Sequence, residues 1–145
     1  MAVNAISTAK MLGGAKVLGV EVKSDRDLEK VVTTGLPTDA VTKIIERIFP
    51  GETSKNYELI PRTTLIRRQK QGSTLNVEES QKTERVARVF SFAVEVWGDE
   101  AKARDFMTKP HPMLEDRTPF QASLSELGAR KVEQLLGRLM LGISA

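Results

Sequence analysis

Six apolar residues set the strongest limit on what this chain can become. Val86, Val89, Phe90, Ala93, Val96 and Trp97 recur at i, i+3, i+4, i+7, i+10 and i+11. That spacing lays one apolar stripe along a helix and cannot line one face of a strand. Asn76-Val-Glu-Glu79 stands upstream in the form of a capping box, with a cap residue and an acid three positions on. Gly98 ends the run. The pattern predicts one long helix that carries the main core and joins two halves of the molecule. A stripe of this kind is far more often core than ligand site.

The rest of the chain reads as helix too. Leu124, Leu127, Val132, Leu135, Leu136, Leu139 and Met140 form a second stripe. It belongs to a helix that opens at Thr118-Pro119 and closes at Gly142. Gly137 inside it costs about 1 kcal/mol against Ala, which points to close packing against a neighbouring helix or a partner. Asp99–Thr108 is a short helix with Ala101, Phe106 and Met107 inward, broken by Lys109-Pro-His-Pro-Met113. Upstream, Ser24 caps a helix over Asp25–Thr33 that ends at Gly35. Leu36-Pro-Thr-Asp opens another, with Val41, Ile44, Ile45 and Ile48 on its core face, and Pro50-Gly51 stops it. Residues 1–16 read as a flexible arm or short helix. Val17, Val20 and Val22 suit a short strand or a buried turn. The expected fold class is all-α.

Pro61 and Gly72 bracket a further helix of another character. It holds Arg62, Arg67, Arg68 and Lys70, no acid, and only Leu65 and Ile66 as apolar positions. Such a helix can press a narrow stripe on a core and offer Arg and Thr outward. A recognition helix in a DNA groove needs that combination: short donors for phosphates, and Arg for guanine. Arg62, Thr63, Thr64, Arg67, Arg68 and Lys70 are the candidate DNA-binding residues. A plain solvated basic helix would look the same. The three helices between residues 25 and 72 are compatible with a helix-turn-helix module. Modules of that kind bind DNA or serve only as dimer scaffolds.

At 145 residues the chain fits one domain or two very small ones. Net charge is +3, unevenly placed: residues 1–75 carry 12 Lys/Arg and 8 Asp/Glu, residues 76–145 carry 10 and 11. The basic first half fits nucleic-acid contact and the near-neutral second half protein contact. The absence of Cys agrees with a reducing, cytoplasmic setting. Met1 to Leu18 has no apolar run of signal-peptide length, and no segment reaches the 18 or so apolar residues of a membrane span.

Reactive constellations are absent. The single His111 lies between two prolines, and without Cys or a second His a transition-metal site lacks ligands. Gly13-Gly14-Ala-Lys-Val-Leu-Gly19 departs from the phosphate-loop pattern. The acid pairs Asp99-Glu100 and Glu115-Asp116 sit at helix edges, where caps and solvated turns explain them. An enzyme is not expected, nor a metal or cofactor.

Several motifs together resemble the Xre/MbcA/ParS antitoxin family. They are Val86-Ala-Arg-Val-Phe90, Trp97-Gly-Asp-Glu-Ala-Lys-Ala103, Phe106-Met107, Pro110, Leu114, Arg117-Thr-Pro119, Glu126-Leu-Gly-Ala129, Val132-Glu133 and Leu136-Gly-Arg138. Upstream, Leu18-Gly19, Gly35-Leu-Pro37 and Arg62-Thr-Thr-Leu-Ile-Arg-Arg68 resemble the Xre-like helix-turn-helix part of the same family. The family usually has Trp-Leu at Phe106-Met107 and often Gly-Gly at Glu115-Asp116.

The resemblance implies an Xre-like helix-turn-helix domain over 17–75, continuing through the long central helix into a helical toxin-binding domain over 76–145. It further implies a bacterial type II toxin–antitoxin system. The partner would be a RES-domain toxin that consumes NAD or transfers its ADP-ribose. Homodimers and operator DNA binding for autoregulation go with the family. The toxin-binding candidates lie in the last helix and tail: Arg130, Glu133, Arg138, Leu141, Gly142, Ile143, Ser144 and Ala145. An Arg such as Arg138 can pair with groups that normally meet NAD, and the small tail can enter a cleft. The competing reading is that this helix is core and the tail frayed. The alternative function is a stand-alone helix-turn-helix transcriptional regulator.

Overall fold

The structure is a computed structural model and describes residues 4–142. Those residues form α-helices, two 3-10 turns and connecting loops, with no strand among them. The axis is α7, Val77–Trp97. Its start is the capping box: the Asn76 Oδ1 accepts from the Glu79 N–H at 2.8 Å, and Glu79 Oε1 accepts from the Asn76 N–H at 2.9 Å. Thr83, Val86, Ala87, Val89, Phe90 and Ala93 are its buried face. Full burial of a large apolar side chain stabilises by roughly 1.5–3 kcal/mol, so this face anchors the molecule.

Around α7 pack α1 (Ala5–Met11), α3 (Asp25–Thr34), α4 (Thr38–Ile48), α8 (Glu100–Thr108) and α10 (Glu126–Met140). Shorter pieces complete the shell: α2 (Gly14–Leu18), α5 (Asn56–Leu59), α6 (Arg62–Gln71) and α9 (Pro119–Ala122). The all-α expectation holds. The buried residues form one continuous core that runs from Ala5 to Leu136.

Several local expectations change in the folded chain. Of the arm or short helix expected over residues 1–16, helix is what forms: Ala5–Met11 and Gly14–Leu18 are helical, and Ala5, Ala9, Met11 and Leu12 are buried. Asn4 caps the first by accepting from the Ser7 N–H at 2.8 Å. The small side chains that suggested an arm let this backbone lie close against α7. Val17 ends up in α2, Val22 is buried in a loop and Val20 is 49% exposed, so the three make no strand.

Gly35 takes φ 116, and a Cβ there would meet the Leu75 carbonyl at 2.6 Å. The close approach lets Leu75 N–H donate to the Leu36 carbonyl and Leu36 N–H donate to Ser80 Oγ, both at 2.9 Å. The turn between α3 and α4 is thereby tied to the beginning of α7.

The expected single C-terminal helix is broken. Pro119–Ala122 forms α9, then Ser125 caps α10 by accepting from the Gly128 N–H at 3.0 Å. A Cβ at Gly128 would run into the Ala122 carbonyl, so glycine is what lets the two helices meet. Leu127 falls on the outer side of this new helix and is 69% exposed. A Cβ at Gly137 would meet nothing within 4 Å, so no neighbour within the described residues explains this glycine. In α8 the inward residues are Ala103 and Met107, with Ala101 exposed and Phe106 half-buried. Glu115 and Asp116 take φ 59 and 61, a left-handed geometry that glycine adopts more easily.

Candidate functional site

Two surfaces carry the residues singled out above. The first is α6. Leu65 is its buried residue, and Pro61 precedes its first turn. Arg62, Thr63, Ile66, Arg67, Lys70 and Gln71 line one shallow groove, with no carboxylate among them. The Arg62 guanidinium sits 4.9 Å from the Tyr57 ring centre, a cation–π contact that steadies a long side chain. Thr64 is half-buried beside the groove.

Arg68 points elsewhere. Its Nε donates to Glu79 Oε1 at 2.7 Å and a terminal nitrogen donates to Oε2 at 3.2 Å. Both side chains are largely buried, so the pair is a fork-on-fork bridge shielded from water. Burial pushes the Glu79 carboxyl up, but Arg68 and the Asn76 N–H together hold it below the usual carboxylate range. Four of the six candidate cationic and hydroxyl residues therefore share one groove, and Arg68 straps α6 to the cap of α7.

The second surface is α10. Val132, Leu135 and Leu136 pack inward. Leu127, Lys131, Gln134, Arg138 and Leu141 are exposed at i, i+4, i+7, i+11 and i+14, one outward row. Arg138 makes no ion pair among the described residues, and Leu141 is 77% exposed. Arg130 is exposed and donates to Glu126 at 3.3 Å. Glu133 is engaged inside the protein: Arg88 Nε donates to its Oε2 at 2.9 Å, while another Arg88 nitrogen donates to Glu84 Oε1 at 2.8 Å. Burial pushes the Glu84 carboxyl up, although Arg88 pulls the other way. This three-residue network ties α10 to α7. Gly142 follows the helix in a left-handed turn, φ 75. Ile143, Ser144 and Ala145 lie outside the described residues.

A third feature escaped the sequence reading. Trp97 sits at the end of α7 and is 39% exposed. Its ring centre lies 6.1 Å from that of Phe106, and Phe106 lies 6.4 Å from His111. Helical spacing assigns Trp97 to the core stripe, but α7 stops one residue later at Gly98 and no described residue covers it fully. The signal available was that helix end.

Comparison with known proteins bears on the second of these surfaces. Residues 92–141 match the family described as the antitoxin Xre/MbcA/ParS C-terminal toxin-binding domain. The chain is 29% identical over 124 residues to antitoxin Xre of Pseudomonas putida, a match covering 84% of this chain and 76% of that protein. It is 36% identical over 85 residues to antitoxin Xre of Yersinia enterocolitica, covering 58% of this chain and 57% of that one.

Proposed function

Because the chain belongs to the Xre/MbcA/ParS antitoxin family, we propose that it neutralises a RES-domain toxin by seating the end of α10 in that toxin's NAD site. The observation that carries this reading is the outward row of α10. Leu127 and Leu141 flank Lys131, Gln134 and Arg138, and the row lies inside the stretch matched to a toxin-binding domain. A guanidinium outside any described ion pair, beside an exposed Leu, offers charge and apolar contact together. Arg138, Leu141, Gly142 and the tail Ile143–Ala145 enter the toxin. Arg130 works from the rim. Glu133 contributes through Arg88, by fixing how α10 stands on α7.

Co-expression tests this. The full chain restores growth and cellular NAD in cells that express the RES-domain toxin. A chain ending at Met140, or carrying Arg138→Glu, restores neither. Equal rescue by both would remove the end of α10 from the mechanism.

A second activity has its own observation. The groove on α6 gathers Arg62, Thr63, Arg67 and Lys70 without an acid. Such a surface suits a DNA backbone and base edges. As a homodimer, the protein would set two such helices on half-sites about one helical turn apart and repress its own operon. Operator binding without toxin rescue would leave the stand-alone regulator as the correct reading.

A further inference from the structure

The row on α10 is not the only open surface within residues 92–141. Trp97, Phe106 and His111 form an aromatic shelf, and the groove beside it is lined by Ala101, Lys102 and Pro110 together with the Asp105 and Lys109 pair. An exposed Trp beside a second ring is the composition expected at the centre of a protein interface. His111 Nδ1 accepts from the Met113 N–H at 3.1 Å, so the ring is fixed in place. Lys109 pairs with Asp105 at 2.8 Å and is neutralised. Lys102 makes no ion pair among the described residues and leaves the rim positive.

The shelf is also joined to α10. His111 N–H donates to the Arg117 carbonyl at 3.1 Å. Arg117 bridges to Glu115 at 3.4 Å, and Glu115 lies 3.9 Å from Lys131 in the outward row. One run of surface contacts thus leads from Lys131 to Trp97.

We infer that the toxin's contact extends past α10 onto this shelf, which takes an apolar or aromatic side chain of the toxin flanked by carboxylates. The inference rests on the antitoxin reading and adds a second anchor to it. Two features favour the toxin over a second copy of this chain as occupant. The shelf lies in the stretch matched to toxin binding, and its Lys102 calls for an acidic rim opposite.

Trp97 is the only Trp in the chain. Full-length protein labelled with 5-fluorotryptophan therefore gives one fluorine resonance, unobscured by the toxin. Titration with the purified RES-domain toxin should move that resonance at the same stoichiometry as binding. Trp97→Ala should raise Kd about tenfold or more, and Trp97→Phe should recover part of the loss. Ala101→Arg fills the groove from an exposed position without removing core, and should weaken binding similarly with an unchanged Tm. Lys102→Glu should slow association.

Unchanged affinity in these variants, with a stationary resonance on binding, would overturn the shelf while leaving the α10 reading intact. A resonance that moves with the chain's own concentration, and not with toxin, would assign the shelf to self-association and overturn the inference. No toxin binding by the wild-type chain would overturn the antitoxin reading and the shelf together.

Discussion

Arg67 and Arg68 are adjacent in sequence and take opposite roles. Arg67 lines the α6 groove, whereas Arg68 forks onto Glu79. Each phosphate contact contributes about 0.9 to the slope of log affinity against log salt. Arg67→Ala should lower operator affinity and flatten that slope by about one unit, read by anisotropy titrations across salt. Arg68→Ala should weaken binding with the slope unchanged, and should also lower Tm, because it leaves a shielded carboxylate without its partner. Glu79 accepts three bonds at once, two from Arg68 and one from the Asn76 N–H. Its lowered pKa means that its contribution is present above the unfolded carboxylate value and lost as pH falls through the folded one. Glu79→Gln should therefore destabilise by about 1–2 kcal/mol at pH 7. In urea melts the gap to wild type should close in acid. A gap that persists at low pH would mean the charge is not what matters.

At the scale of the element, two glycines of α10 answer differently. Gly128 faces the Ala122 carbonyl and has no room for a methyl group. Gly128→Ala should destabilise by about 1–3 kcal/mol, because α9 and α10 must separate. Gly137 has open space around it. Gly137→Ala should stabilise the free chain by about 1 kcal/mol and raise Tm by about 3 °C, since alanine is the better helix former. Thermal melts followed by circular dichroism separate the two. If Gly137→Ala also weakens toxin binding, the close approach signalled by this glycine is to the partner. The helix break upstream of both was not legible, because Leu124 and Leu127 keep helical spacing across it. Ser123 and Ser125, which end one helix and start the next, look alike until the backbone is seen.

For the whole molecule, α7 packs against helices of both proposed functional halves, and one core joins α1, α3 and α4 to α8 and α10. We expect a single cooperative calorimetric transition; two separable transitions would show that the halves fold independently. No helix among the described residues is long and apolar enough to cross a membrane. The sequence by itself determined the all-α class, the long helices and their main apolar faces, because 3.6-residue spacing and caps act within a few residues. It also carried the family resemblance. The tertiary structure decided which charged groups are engaged within the fold. Arg68 meets Glu79 across 11 positions and Arg88 meets Glu133 across 45, distances over which no local pattern speaks. It also decided that Trp97 stays half-open, because exposure depends on what lies beyond a helix end rather than on the residues within it.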